Sequence, residues 1–122
     1  MSRSVKVYLQ DMVDAIDAIR AFTRGVTFEA FAANEQLQAA VHFKLVVIGE
    51  AASKVPSRVR KQFPGVEWKK IVGLRNIVAH AYFTVDLDIE WNVITKDIVT
   101  LEAMLGDLEQ IGDDGERKGP ER

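Results

Sequence analysis

Apolar residues along this chain recur at threes and fours almost from end to end, and the pattern predicts a bundle of α-helices. Val5, Leu9, Met12, Ile16, Ile19 and Phe22 mark one face of a first helix from about Ser4 to Arg24, with Asp11, Asp14, Asp17 and Arg20 mostly opposite. Gly25 stops it. Thr27 to Ala33 reads as a short helical turn whose rings, Phe28 and Phe31, plug the end of the bundle. Asn34 can cap a second long helix that Pro56 ends. Its main stripe is Leu37, Val41, Leu45, Ile48, Ala52 and Val55, while Phe43, Val46 and Val47 point elsewhere. A helix apolar on more than one side is either central to the bundle or part of a subunit interface. Gly49 and Ser53 form a small-residue patch on it that allows close approach of another helix.

Further on, Ser57 to Phe63 reads as a short basic helix and Pro64-Gly65 as a turn. Glu67 opens a helix that buries Trp68, Ile71, Val72, Leu74, Ile77 and Val78 and frays around Ala79 to Tyr82. Tyr82 to Val85 suits an extended segment, and Asp86 or Asp88 can cap the helix after it. That last long helix is expected to carry Leu87, Trp91, Ile94, Ile98, Leu101, Leu105 and Leu108 as its seam. The expected architecture is all-α, an antiparallel bundle of four to five helices spanning residues 1–111. Residues 112–122, polar and rich in glycine, read as a disordered tail.

Composition narrows the function classes. At 122 residues the chain holds one domain. With no cysteine, disulfides and thiolate chemistry are excluded, and a reducing cytoplasm is the expected compartment. No apolar run is long enough to span a bilayer. Net charge is −2, yet Lys54, Arg58, Arg60, Lys61, Lys69, Lys70 and Arg75 face only Glu67, so residues 54–75 carry +6 and the remainder −8. That stretch is either an ordinary solvated face or a phosphate-attracting rim.

The rim leads into Gly73–Asp86, where an Arg, an Asn, a His and a Tyr fall inside eight positions of an otherwise apolar run. Asn76 and His80 share a helical face at i, i+4. Arg75 and His80 sit five apart, about 140° around an ideal helix. They converge only if the Arg side chain swings back, if the helix ends near His80, or if a second copy completes the site. His42, a lone histidine among apolar neighbours, is left out of the candidate site. No His-Glu-x-x-His, cysteine cluster or glycine-rich phosphate loop is present, so no metal or cofactor is expected. An imidazole that moves protons near neutral pH and a guanidinium that forks phosphate oxygens suit metal-free RNA cleavage by the 2′-hydroxyl. A plainer reading stands beside it: Arg75, Asn76, His80 and Tyr82 only cap and close a helix end.

The run Arg75-Asn76-Ile77-Val78-Ala79-His80-Ala81-Tyr82 resembles the Arg-x4-His-x-Tyr motif of the HepT-like toxins, a branch of the HEPN superfamily. Tyr8 to Met12, Phe28 to Phe31, the Ile48-Gly49-Glu50-Ala51 signature, Phe63 to Trp68, and Tyr82 to Leu87 with Trp91 resemble the family in the same order. Ala81 departs from the common pattern, where Gly or a polar residue is frequent.

The resemblance implies a HEPN-type bundle that dimerises through its motif-bearing face, and a metal-independent endoribonuclease acting as the toxin of a toxin–antitoxin pair. It implies Arg75 and His80 as catalytic residues, Asn76 as support, and Tyr82 as the acceptor of AMP from a small nucleotidyltransferase of the MntA type. The same resemblance leaves a second possibility: a non-catalytic helical partner that presents a nucleotide to such a transferase.

Overall fold

The computed structural model describes residues 4–76 and 86–117. Among the described residues the protein is an all-α bundle, as the periodicity predicts. Helix α1 (Val5–Thr23) begins where the Ser4 hydroxyl accepts from the Val7 amide at 3.3 Å. It buries Leu9, Met12, Ala15, Ile16 and Ile19. Phe22, expected on that stripe, is 41% exposed. The inward position after Ile19 is Thr23, a full 3.6-residue turn on, and its hydroxyl donates to the Ile19 carbonyl at 2.8 Å. Gly25 then takes a φ of +72°, which favours glycine. Arg20 reaches across to Glu102 at 2.6 Å.

Helix α2 (Phe28–Ala32) is one turn capped by Thr27, which accepts from the Ala30 amide at 3.1 Å. Phe31 is fully buried, a contribution of about 1.5–3 kcal/mol for a large apolar side chain. Both rings meet Trp91, Phe31 at 5.3 Å and Phe28 edge-on at 6.1 Å. Helix α3 (Glu35–Ser53) starts at the Asn34 cap, whose side chain accepts from the Leu37 amide at 3.0 Å. It packs against α1, against α2 and against the segment Trp68–Asn76, so it is the central helix. That arrangement accounts for part of its broad apolar surface. Phe43 remains 55% exposed beside an open groove of about 410 Å³, lined also by Tyr8, Val46, Val47, Glu50 and Ala51.

After Pro56 come α4 (Ser57–Arg60) and α5 (Trp68–Val72), and α5 tightens into a 3₁₀ turn, Gly73–Asn76. Trp68, Ile71 and Leu74 are its buried residues. Leu74 follows Ile71 by three residues, and the tighter winding from Gly73 keeps it on the buried side. The expected burial of Ile77 and Val78, the fraying expected around Ala79 to Tyr82 and the extended run Tyr82–Val85 lie outside the described residues.

Helix α6 (Leu87–Asn92) is capped by Asp86, one of the two candidates, which accepts from the Ile89 amide at 3.2 Å. The long helix expected here runs unbroken to Leu105, with a π turn, Val93–Asp97, inside it between α6 and α7 (Ile98–Leu105), and the backbone stays helical at both junctions. The Thr95 hydroxyl donates to the Trp91 carbonyl at 2.7 Å, a side-chain competitor for the helical ladder. The extra residue in that turn brings Val93 into the core beside Ile94. Gly106, at φ +66°, ends α7, and Leu108 is buried from a separate 3₁₀ turn, Leu108–Gln110.

Residues 112–117 depart from the expectation of a disordered tail. Ile111 bridges to Arg117, and the Asp113 carbonyl accepts from the Val5 amide at 3.1 Å. Gln62 donates to the Gly115 carbonyl at 3.0 Å and accepts from the Arg117 amide at 2.7 Å. Gly115 has φ +84°, and a Cβ there would come within 2.7 Å of Val5 and Val59. The segment folds back as a strap across the start of α1 and α4. Composition suggests freedom, but specific backbone partners supplied by distant residues hold it.

Candidate active site

Of the four motif residues, Arg75 and Asn76 lie in the described structure, at the exposed end of the 3₁₀ turn. His80 and Tyr82 lie outside the described residues. Buried Leu74 anchors the turn, and the side chain of Arg75 is left 41% exposed. The turn sits directly on α3. A Cβ placed on Gly49 would lie 2.4 Å from the Arg75 backbone nitrogen and 3.0 Å from its Cα. Backbone therefore meets backbone, and only glycine permits it. One residue further along α3, Glu50 places Oε1 3.6 Å from an Arg75 guanidinium nitrogen. The site thus offers an outward-facing guanidinium with a carboxylate beside it, on a turn packed closely against α3.

The basic residues expected to form a rim divide into two kinds. Arg60 is half-buried and donates to the Val55 and Ala52 carbonyls at 2.9 and 3.1 Å, closing the C-terminus of α3. Its guanidinium also lies 5.4 Å from the centre of the Trp68 ring. Arg58 donates to the Asp114 carbonyl and to Glu116, both at 2.8 Å, and so belongs to the strap. Lys70 sits 3.3 Å from Asp97 and 3.9 Å from Glu67. Lys54, Lys61 and Lys69 are exposed, and Lys54 borders the groove beside Glu50. Arg60 thus works inside the fold and Arg58 pairs with the strap at the surface, whereas the three exposed lysines keep their charge in solvent.

Two features carry little signal in the sequence. One is the contact of Gly49 and Glu50 with Arg75: the small-residue patch and the Ile48-Gly49-Glu50-Ala51 resemblance mark the place, where a helical glycine costs about 1 kcal/mol relative to alanine, but not the partner. The other is the partner of His42: its Nε2 lies 2.7 Å from Glu90 Oε2. Glu90 is 3% exposed, and among the described residues its other oxygen, Oε1, has no hydrogen-bond partner. The clue to it is a glutamate on the apolar seam between Leu87 and Ile94. Among the described residues no group of three or more His, Asp or Glu side chains is arranged to hold a metal ion. Among the same residues no helix is long and apolar enough to cross a membrane.

Comparison with known proteins matches residues 12–108 to the family described as ribonuclease HepT-like. A relative from Thermococcus cleftensis that bears the name probable ribonuclease HepT is 37% identical over 102 residues, covering 84% of this chain and 93% of its own. Two relatives from Methanocaldococcus jannaschii named as RNases are 35% identical over 96 residues and 33% identical over 112 residues. They are covered over 88% and 97% of their lengths, with 79% and 88% of this chain aligned. No solved structure matches. The match takes in α3, the turn that carries Arg75 and the whole of α6 and α7, and on that ground the chain belongs to the HepT-like ribonuclease family.

Proposed function

We propose that this protein is an endoribonuclease that cleaves RNA without a metal ion and serves as the toxin of a toxin–antitoxin pair. The observation that carries the reading is Arg75: an exposed guanidinium on a turn held against α3, in a chain of a ribonuclease family. Arg75 binds the scissile phosphate and stabilises the charge that builds as the 2′-hydroxyl attacks it. His80 transfers a proton, taking one from the 2′-oxygen or giving one to the departing 5′-oxygen. The products are a 2′,3′-cyclic phosphate and a 5′-hydroxyl, which balances the reaction without water or metal. Asn76, beside Arg75, supports the site. Exposed Lys54, Lys61 and Lys69 add attraction for the RNA backbone.

Two proton transfers and one suitable histidine in the motif call for two chains, and we assign the protein to a homodimer. The groove at Tyr8, Phe43, Val46 and Val47 supports this reading, because it is apolar, open and bordered by the Glu50 that meets Arg75. Tyr82, two residues from His80, is the acceptor for AMP delivered by an MntA-type nucleotidyltransferase. The added phosphate and bulk repel and occlude RNA.

Arg75→Ala and His80→Ala should each lower RNA cleavage by about 10²–10⁴-fold and relieve growth inhibition, with chelators leaving the wild type unaffected. Wild-type protein that leaves RNA uncut, or His80→Ala that cuts it equally well, would overturn the reading. Co-expression with a nucleotidyltransferase of the MntA type should add mass in multiples of one AMP, and Tyr82→Phe should abolish the gain.

A further inference from the structure

Gly49 and Glu50 are neighbours on α3, and both touch the same residue. The first meets the Arg75 backbone, where any Cβ would lie 2.4 Å from the amide nitrogen. The second meets the Arg75 guanidinium at 3.6 Å. Glu50 is 53% exposed and Arg75 41%, too open for their attraction to matter much to folding. An exposed arginine has many rotamers, and a carboxylate beside it narrows them before substrate arrives. A phosphate needs the guanidinium fork aimed at it, in one plane.

We propose that Gly49 and Glu50 are positioning residues for Arg75: the glycine sets where its backbone sits, and the carboxylate sets where its guanidinium points. This inference rests on Arg75 as the phosphate-binding group. Glu50 does not bind RNA itself, since its negative charge would repel phosphate. Its effect is felt through Arg75 alone and appears in turnover more than in substrate binding.

The test is a double-mutant cycle on the full chain, read in RNA cleavage and in the NMR signal of the Arg75 Nε–H. Glu50→Ala should lower kcat about tenfold, leave KM within a factor of about two to three and leave the melting temperature unchanged. Glu50→Gln, which keeps an acceptor oxygen, should recover part of the loss. In an Arg75→Lys background Glu50→Ala should cost nothing further. An unchanged kcat, a lowered KM with higher turnover, or a full tenfold loss in the Arg75→Lys background would each overturn the inference. Cleavage that survives Arg75→Ala would instead remove the reading beneath it.

The Nε–H signal reports independently of activity. Glu50→Ala should speed its exchange with solvent, and an unaltered signal would count against Glu50 even if no RNA is cut. Gly49→Ala should speed amide exchange at Gly73–Asn76 above the rest of the chain. Uniform exchange across the bundle would remove the glycine's special role.

Discussion

Helix α3 holds the chain at two points of opposite character. At Gly49 it meets Arg75 with bare backbone, next to an ion pair about half open to solvent. Seven residues earlier, roughly 10 Å along the axis at 1.5 Å per residue, His42 meets Glu90 in a pair whose carboxylate is 4% exposed. The difference is one of exposure. The Arg75 turn is fixed by shape and leaves its side chain in solvent, where the proposed function needs it. Glu90 is held by its side chain, with the carboxylate inside against His42.

Four substitutions order themselves along that contrast. His42→Ala strands a buried carboxylate and should cost about 3–5 kcal/mol in urea unfolding. The double change His42→Leu with Glu90→Leu should recover most of it, whereas a loss below about 1 kcal/mol for the single change would show that the pair is not buried in solution. Gly49→Ala comes next. Helix propensity alone predicts a gain of about 1 kcal/mol, but the clash with the Arg75 backbone predicts a net loss of about 1–3 kcal/mol, so the sign decides. Arg60→Ala removes two hydrogen bonds and a ring contact and should cost about 1–2 kcal/mol, with Arg60→Lys no better, while Lys61→Ala stays within about 0.5 kcal/mol. The smallest effect belongs to the exposed pair of the strap: Glu116→Gln should cost about 0–1 kcal/mol and vanish at high salt.

Much of the fold is legible in the sequence because its signals are local. Asn34, Asp86, Gly25 and Pro56 punctuate the chain where sequence places them, each acting on backbone within a few residues. The differences arise where the deciding partner is remote or subtle. Residues 112–117 read as free because Val5, Arg58 and Gln62, which hold them, lie more than fifty positions away. The π turn leaves no mark in the sequence, because an apolar seam runs unbroken through it. The candidate site shows the same division. Arg75 and its motif stand out by residue type and resemblance, while the ion pair of Glu50 with Arg75 and the inward task of Arg60 do not. A cluster of positive charge in a sequence does not say which guanidinium turns inward.

The proposed reaction has Arg75 at the scissile phosphate and the 2′-hydroxyl as the attacking group. Its sharpest check is end-group analysis of RNA treated with purified wild type and with Arg75→Ala, both in excess chelator. Wild type should leave 2′,3′-cyclic phosphate and 5′-hydroxyl ends, and the variant should cut at least about a hundredfold less. Ends bearing a 5′-phosphate, or equal cleavage by Arg75→Ala, would overturn it.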